Sequence, residues 1–226
     1  MNDFLKENVK VLKCNKHYRF SNLFFRYGIR WEHDRDVVLN DVKFENSILR
    51  KYLEQKTKEE DYSTLKNIIN NFISKNNIKL PKPSELVIHL RCGDIFDPIL
   101  RLQEDPEYVR AILQVNLIEN LFKNKNEIFT NEIDSVTMVT ALHFGANELN
   151  GKYFYSEAAY GNSMKVLEYF QEKINQIGYK LNIISNENFD LDLCYMSRSN
   201  YFYKGASMIC HIVENCLSDS AKIYTI

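Results

Sequence analysis

Between residues 135 and 217 short β-branched runs alternate with amphipathic stretches, and few folds accommodate that order. Residues 135–144 (SVTMVTALHF), 179–185 (YKLNIIS) and 201–203 (YFY) read as strands, rich in the branched and aromatic side chains that suit a pleated surface. Residues 163–177, 189–197 and 207–217 read as helices, the first ended by Gly178 just past the C-cap, where glycine is favoured. A β-α-β-α-β-α order predicts a doubly wound parallel sheet in an α/β fold. A further strand is expected over residues 85–90, an apolar run bounded by Pro81-Lys82-Pro83 and by a glycine turn. A helix over residues 106–122 follows it.

Ahead of residue 85 the pattern is mostly helical. Phe44, Ile48, Leu49 and Leu53 recur at three-and-four spacing, then Leu65, Ile68, Ile69, Phe72 and Ile73, with a charged break over residues 56–62. Residues 8–14 (NVKVLKC) alternate as a strand would. The stretch YRFSNLFFRYGI turns into an apolar helix from Asn22, with Ser21 or Asn22 near its cap. Residues 33–36 (HDRD), beside Trp31, read as an exposed loop. At 226 residues the chain has room for two small Rossmann-type halves or one large domain.

Charge and cysteine usage exclude several classes. With 29 basic and 30 acidic side chains there is no net field to recruit nucleic acid or anionic lipid, so an anion site must come from a few placed groups. No apolar run approaches the length of a membrane span, and the start of the chain, MNDFLKENVK, alternates charge where a secretory signal would be apolar. Cys14, Cys92, Cys194, Cys210 and Cys216 are scattered, without the close pairs of a disulfide framework or zinc site. Reduced thiols in a cytoplasmic protein are expected.

In open α/β sheets ligands sit beyond the carboxyl ends of the strands, which directs attention to the residues after Ile88, Val139 and Phe202. His89-Leu90-Arg91-Cys92-Gly93-Asp94 follows the first. By strand alternation His89 and Arg91 share a side, and Gly93 permits a close backbone turn. A forked, permanently charged guanidinium suits a diphosphate, and His89 can bond a base or ribose. Arg91 could equally pair with Asp94 and seal the strand end. The second candidate is Lys204-Gly205-Ala206-Ser207, a strand-glycine-helix junction whose amides and Ser207 hydroxyl would cradle an anion. The alternative is that Gly205 permits the turn and Ser207 is an N-cap.

His89-x-Arg91-x-Gly93-Asp94 matches the His-x-Arg-x-Gly-Asp motif of the α1,2-, α1,6- and protein O-fucosyltransferases, and the chain resembles a divergent member of that superfamily. YRFSNLFFRY resembles the superfamily's N-terminal glycine loop, with Ser21 where a glycine is usual. Residues 190–216 resemble its last motif region, with Ala206 and Met208 replacing parts of a Ser-Phe-Ser turn, and Leu142-His143 standing where an acidic pair is often found. The resemblance implies a GT-B-like inverting transferase that moves fucose from GDP-fucose to a glycan hydroxyl without a metal. Residues 1–84 would form a shortened acceptor-side half and residues 85–226 the nucleotide-sugar half. Arg91 would hold the β-phosphate and assist departure of GDP, His89 would contact the nucleoside, with Gly93, Asp94, His143 and Gly205 around it, and Ser207 would bind phosphate. Arg19 and Asn22 would face donor sugar and acceptor. His17 and Asp94 are candidate bases.

Two rival readings come from other classes. Asp190-Leu191-Asp192 and Asp34-Arg35-Asp36 spell the Asp-x-Asp with which metal-dependent GT-A transferases hold a divalent ion. Asp190, opening a short helix, reads better as capping. The other rival is a nucleotide- or partner-binding domain that keeps the scaffold without turnover. Tyr153, Phe154, Tyr155 and Tyr160 suit core packing or sugar stacking, and Cys210 and His211 read as packing residues.

Overall fold

The computed structural model describes residues 2–13, 20–26, 31–55, 58–97, 106–144, 157–186 and 188–225. In chain order its elements begin with α1 (Asp3–Asn8), β1 (Val11–Lys13), α2 (Phe20–Phe24), α3 (Trp31–Asn40), α4 (Ile48–Glu54) and α5 (Tyr62–Asn76). Then come β2 (Glu85–His89), β3 (Cys92–Gly93), α6 (Pro106–Lys123), α7 (Lys125–Ile128), β4 (Ser135–Val139), β5 (Leu142–Phe144) and α8 (Glu157–Gln176). The last are β6 (Leu181–Ile184), α9 (Phe189–Met196), β7 (Tyr201–Tyr203), α10 (Met208–Cys216) and β8 (Lys222–Tyr224). Single 3-10 turns occupy Val42–Phe44 and Asp94–Phe96.

The α/β class with parallel sheets is what the chain forms. Five strands make one sheet in the order β6-β4-β2-β7-β8, and every pairing is parallel. The chain starts at β2, steps outward through β4 to β6, then returns to lay β7 and β8 on the other flank of β2. The reversal falls between β2 and β7, the topological switch point at which open α/β sheets bind ligands. A second, three-stranded parallel sheet has the order β1-β5-β3. Two of its strands continue β4 and β2 after short breaks at residues 140–141 and 90–91.

Alternation along β2 sends its side chains to two different cores. Val87, with Val139 and Phe202, packs against α2, α4, α5, α9 and α10. Leu86 and Ile88, with Val136, Met138 and Tyr203, pack against α1, α6 and α8. Strands buried on both faces explain the continuous apolar runs. At about 25 cal/mol per Å2, the fully buried Phe202 and Phe170 contribute on the order of 2–3 kcal/mol each.

Local signals account for several boundaries. Asp61 accepts from the N–H of Thr64 to start α5, and Ser47 accepts from Arg50 to start α4. Gly178, at φ +86°, ends α8 in a Schellman motif: Tyr179 N–H donates to Ile174 and Gly178 N–H to Asn175. Other boundaries differ from expectation. The strand expected over 135–144 is divided at residues 140–141: Thr140 N–H makes the last ladder bond to β6, at Ile184, its hydroxyl donates to the carbonyl of Leu90, and β5 then pairs with β1 and β3 instead. Residues 33–36 are helical, inside α3, where the buried Val38 anchors a stretch that is otherwise polar. Helix α2 already includes Phe20, so Ser21 and Asn22 sit within it rather than at its cap. No helix among the described residues is long and apolar enough to cross a membrane.

Candidate functional site

The carboxyl ends of β2 and β7 open onto a cleft of about 740 Å3. Its floor includes His89, Leu90, Arg91, Ala141 and Ser207, and its far wall comes from α2, the turn at Val42–Phe44 and the start of α4. His89, Arg91 and Ser207, singled out in the sequence, therefore share one cavity. His89 continues the Val87 face toward α10, as strand alternation has it, whereas Arg91 lies past the end of β2 and Leu90 between them lines the cleft too.

Gly205 lets the two loops touch. A Cβ there would lie 2.4 Å from the carbonyl oxygen of His89, so any side chain would push the β7–α10 turn away from the end of β2. Ser207 occupies the N-cap position of α10, yet its hydroxyl makes no capping bond. It lines the cleft instead, beside amides that a helix start leaves without intrahelical acceptors. That is the arrangement that attracts an anion.

His89 contacts Cys210 on α10, with Sγ 3.1 Å from Nδ1. Burial pushes the Cys210 thiol up to about 12, so it is neutral, and the tautomer of His89 sets which of the two donates. Arg91 donates through Nη2 to both oxygens of Asp94, at 3.1 and 3.2 Å. This pair orients the guanidinium, with both side chains mostly buried at 14% and 11% exposure. Gly93, at φ +92°, turns the chain beneath the sheet, where its N–H is bonded to Ser163 on α8 at 2.9 Å. Neither Gly93 nor Asp94 lines the cleft, and Gly205 supports it from below. Lys204 is turned to Glu214 on α10.

From the N-terminal stretch Phe20 and Ser21 line the cleft, while Asn22 is exposed outside it. Arg19 and His17 lie outside the described residues, as do Tyr153, Phe154 and Tyr155, and so does the side chain of His143. Tyr160 is half-buried on α8, against the core that faces away from the cleft. Cys210 and His211 diverge: Cys210 is in the core, and His211 stacks on Phe25 at 6.0 Å.

Asp190 and Asp192 lie two residues apart on α9, about 200° around the helix, and point to different partners. Asp190 Oδ2 accepts from Ile48 N–H at 3.0 Å and so caps α4, a helix 142 residues away, while its own helix is capped by Asn188. Asp192 accepts from Asn186. Burial pushes their carboxyls up to about 6 and about 7 respectively. Asp190 also lines the cleft, a placement that sequence spacing did not reveal. Asp34 and Asp36, on α3, lie beside His33 and Arg35 respectively. Among the described residues no three His, Cys, Asp or Glu side chains converge as a metal ion would require.

Gln114 was also missed. It interrupts the apolar stripe of α6 formed by Ala111, Leu117, Ile118 and Leu121, and a polar residue in such a stripe was the available signal.

No family model matches the chain, and no curated protein matches it. Among solved structures it is similar to crystal structures of POFUT1. That in complex with GDP-fucose is 15% identical with a TM-score of 0.42, over 83% of this chain and 59% of that one. One in complex with GDP is 14% identical with a TM-score of 0.40, over 82% of this chain and 50% of that one. The chain thus spans little more than half the length of these structures.

Proposed function

We propose that the chain is a glycosyltransferase that uses a nucleotide-sugar donor, moving fucose from GDP-fucose to a glycan hydroxyl with inversion, without a catalytic metal, and in the cytoplasm. One observation carries this reading: a fixed guanidinium, an imidazole and an uncapped helix start with its serine meet in a single cleft at the switch point. Diphosphate is the chemistry such a set recognises. Displacement at the anomeric carbon builds charge on the departing GDP, and Arg91, held by Asp94, stabilises it. Ser207 and the first amides of α10 receive the phosphate oxygens, and His89 bonds the nucleoside.

The acceptor hydroxyl must lose a proton, and among the described residues Asp190 is the carboxylate that lines the cleft. Its Oδ2 is committed to Ile48 N–H, and a carboxyl raised to about 6 by burial suits a base working near neutral pH. On this reading the helical layer from residues 1–84 bounds the acceptor side and residues 85–226 hold the donor. The Arg91–Asp94 pair also favours a second reading, a nucleotide-binding scaffold without turnover.

Thermal unfolding with GDP, UDP, ADP and EDTA tests the proposal. Ligand at about 100 times its dissociation constant adds roughly 2.7 kcal/mol, a rise of about 5–10 °C for a chain this size. GDP alone should stabilise the protein, EDTA should not abolish the effect, and fucose release from GDP-fucose should fall in Asp190→Asn with GDP binding kept. Stabilisation by UDP with a divalent metal instead would favour a metal-dependent transferase. GDP binding without turnover on any glycan would favour the scaffold.

A further inference from the structure

The two loops of the cleft are joined by a side chain outside it. Gln114 sits in the middle of α6, at 0% exposure. Its Oε1 accepts from the backbone N–H of Arg91 at 3.2 Å, and its Nε2 donates to the carbonyl oxygen of Ala206 at 3.1 Å. Arg91 falls in the break between β2 and β3, where the ladder supplies no acceptor for its N–H. Ala206 directly precedes Ser207. One buried amide thus bridges the residue that carries the guanidinium and the residue next to the phosphate-binding hydroxyl.

Neighbouring contacts make the bridge tight. Leu117, one turn along α6, would lie 3.4 Å from a Cβ on Gly205, and Leu90, next to Arg91, is held by Thr140 and by Val139. An amide offers an acceptor and a donor at a fixed separation, which a buried site of this kind requires. A residue of the same shape without those groups would leave an N–H and a carbonyl buried and unbonded.

We propose that Gln114 is a positioning residue that sets the distance between Arg91 and the start of α10, and with it the fit of a diphosphate. The inference rests on the donor-binding reading above. It predicts that Gln114 contributes to affinity for the phosphates and not to affinity for the nucleoside.

The test compares dissociation constants of GDP and of guanosine, by calorimetry, for wild type, Gln114→Met and Gln114→Glu, with unfolding midpoints measured alongside. Gln114→Met should weaken GDP roughly tenfold or more and leave guanosine unchanged. Gln114→Glu adds a pH signature. Its neutral carboxyl restores both bonds, and its ionised form has no proton to give Ala206, so GDP affinity relative to wild type should fall as pH rises. Equal weakening of GDP and guanosine, or a lower midpoint with the GDP-to-guanosine ratio intact, would overturn the positioning role while leaving the donor reading in place. A wild type that binds no nucleoside diphosphate would overturn both.

Discussion

The two ends of strand β2 both gather polar groups, and they are finished differently. At the amino end Glu85 accepts from the Thr137 and Tyr195 hydroxyls and from Lys82 N–H, 2.9 Å away. Each carboxylate oxygen there is bonded within the protein, and Glu85 does not line the cleft. At the carboxyl end Ser207 makes no capping bond, Asp190 uses one oxygen on α4, and both border the cleft. A saturated polar cluster specifies the fold. One left with bonding capacity toward a cavity is arranged for something that enters.

Substitutions at the two ends should separate stability from binding. The largest effect is expected for Glu85→Leu, which strands the Thr137 and Tyr195 hydroxyls in the interior and removes the acceptor of Lys82 N–H. Urea denaturation should show a loss of roughly 3–5 kcal/mol, with GDP affinity of the folded fraction unchanged. A loss below about 1 kcal/mol would break the view that this end is structural. Arg91→Ala should do the reverse, weakening GDP about 100-fold by calorimetry and lowering the urea midpoint far less than Glu85→Leu.

Asp192 sharpens the contrast because it lies at the open end without lining the cleft. Burial raises its carboxyl from 3.8 to about 7. The folded state therefore keeps a proton that the unfolded chain releases near pH 4, so stability falls as pH rises from about 4 to about 7 and levels off above. Asp192→Asn should raise stability by roughly 4 kcal/mol at pH 8 and leave it nearly unchanged at pH 4, as read from denaturation at the two values. Stabilisation of equal size at both would show that the carboxyl ionises normally. The smallest effect is expected for Ser207→Ala. With no cap bond to lose, stability should stay within about 0.5 kcal/mol, while GDP binding weakens several-fold. A loss of about 1 kcal/mol would instead mark Ser207 as an ordinary cap.

The sheet and its switch point were legible because strands buried on both faces leave continuous apolar runs and because Gly178 and Gly205 punctuate the chain. The direction of His89 followed from alternation, but Arg91 lies beyond the strand, where alternation no longer applies. What could not be read depends on distant partners. DFLKEN forms α1 behind the Asn2 cap, but nothing local says that Leu5 packs in the core shared with α8. HDRD looks like a loop until Val38, further along the same helix, is buried. Asp190 reads as the cap of its own helix, and only the fold brings it to Ile48. The role of Gln114 depends on two loops that meet only once β2 and β7 are paired.

The core around α4 and α5 also draws on α2, Val87, Val139, Phe202, α9 and α10, and strand β1 pairs with β5 some 130 residues later. During synthesis the helices before residue 84 leave the ribosome with part of their apolar face uncovered, and their partners on α9, β7 and α10 arrive last. Contacts of such high sequence separation slow folding, and waiting apolar surface invites association between chains. Chaperone dependence on expression is therefore written into the topology, and yield should respond to growth temperature more than that of a protein whose helices pack on neighbours in sequence.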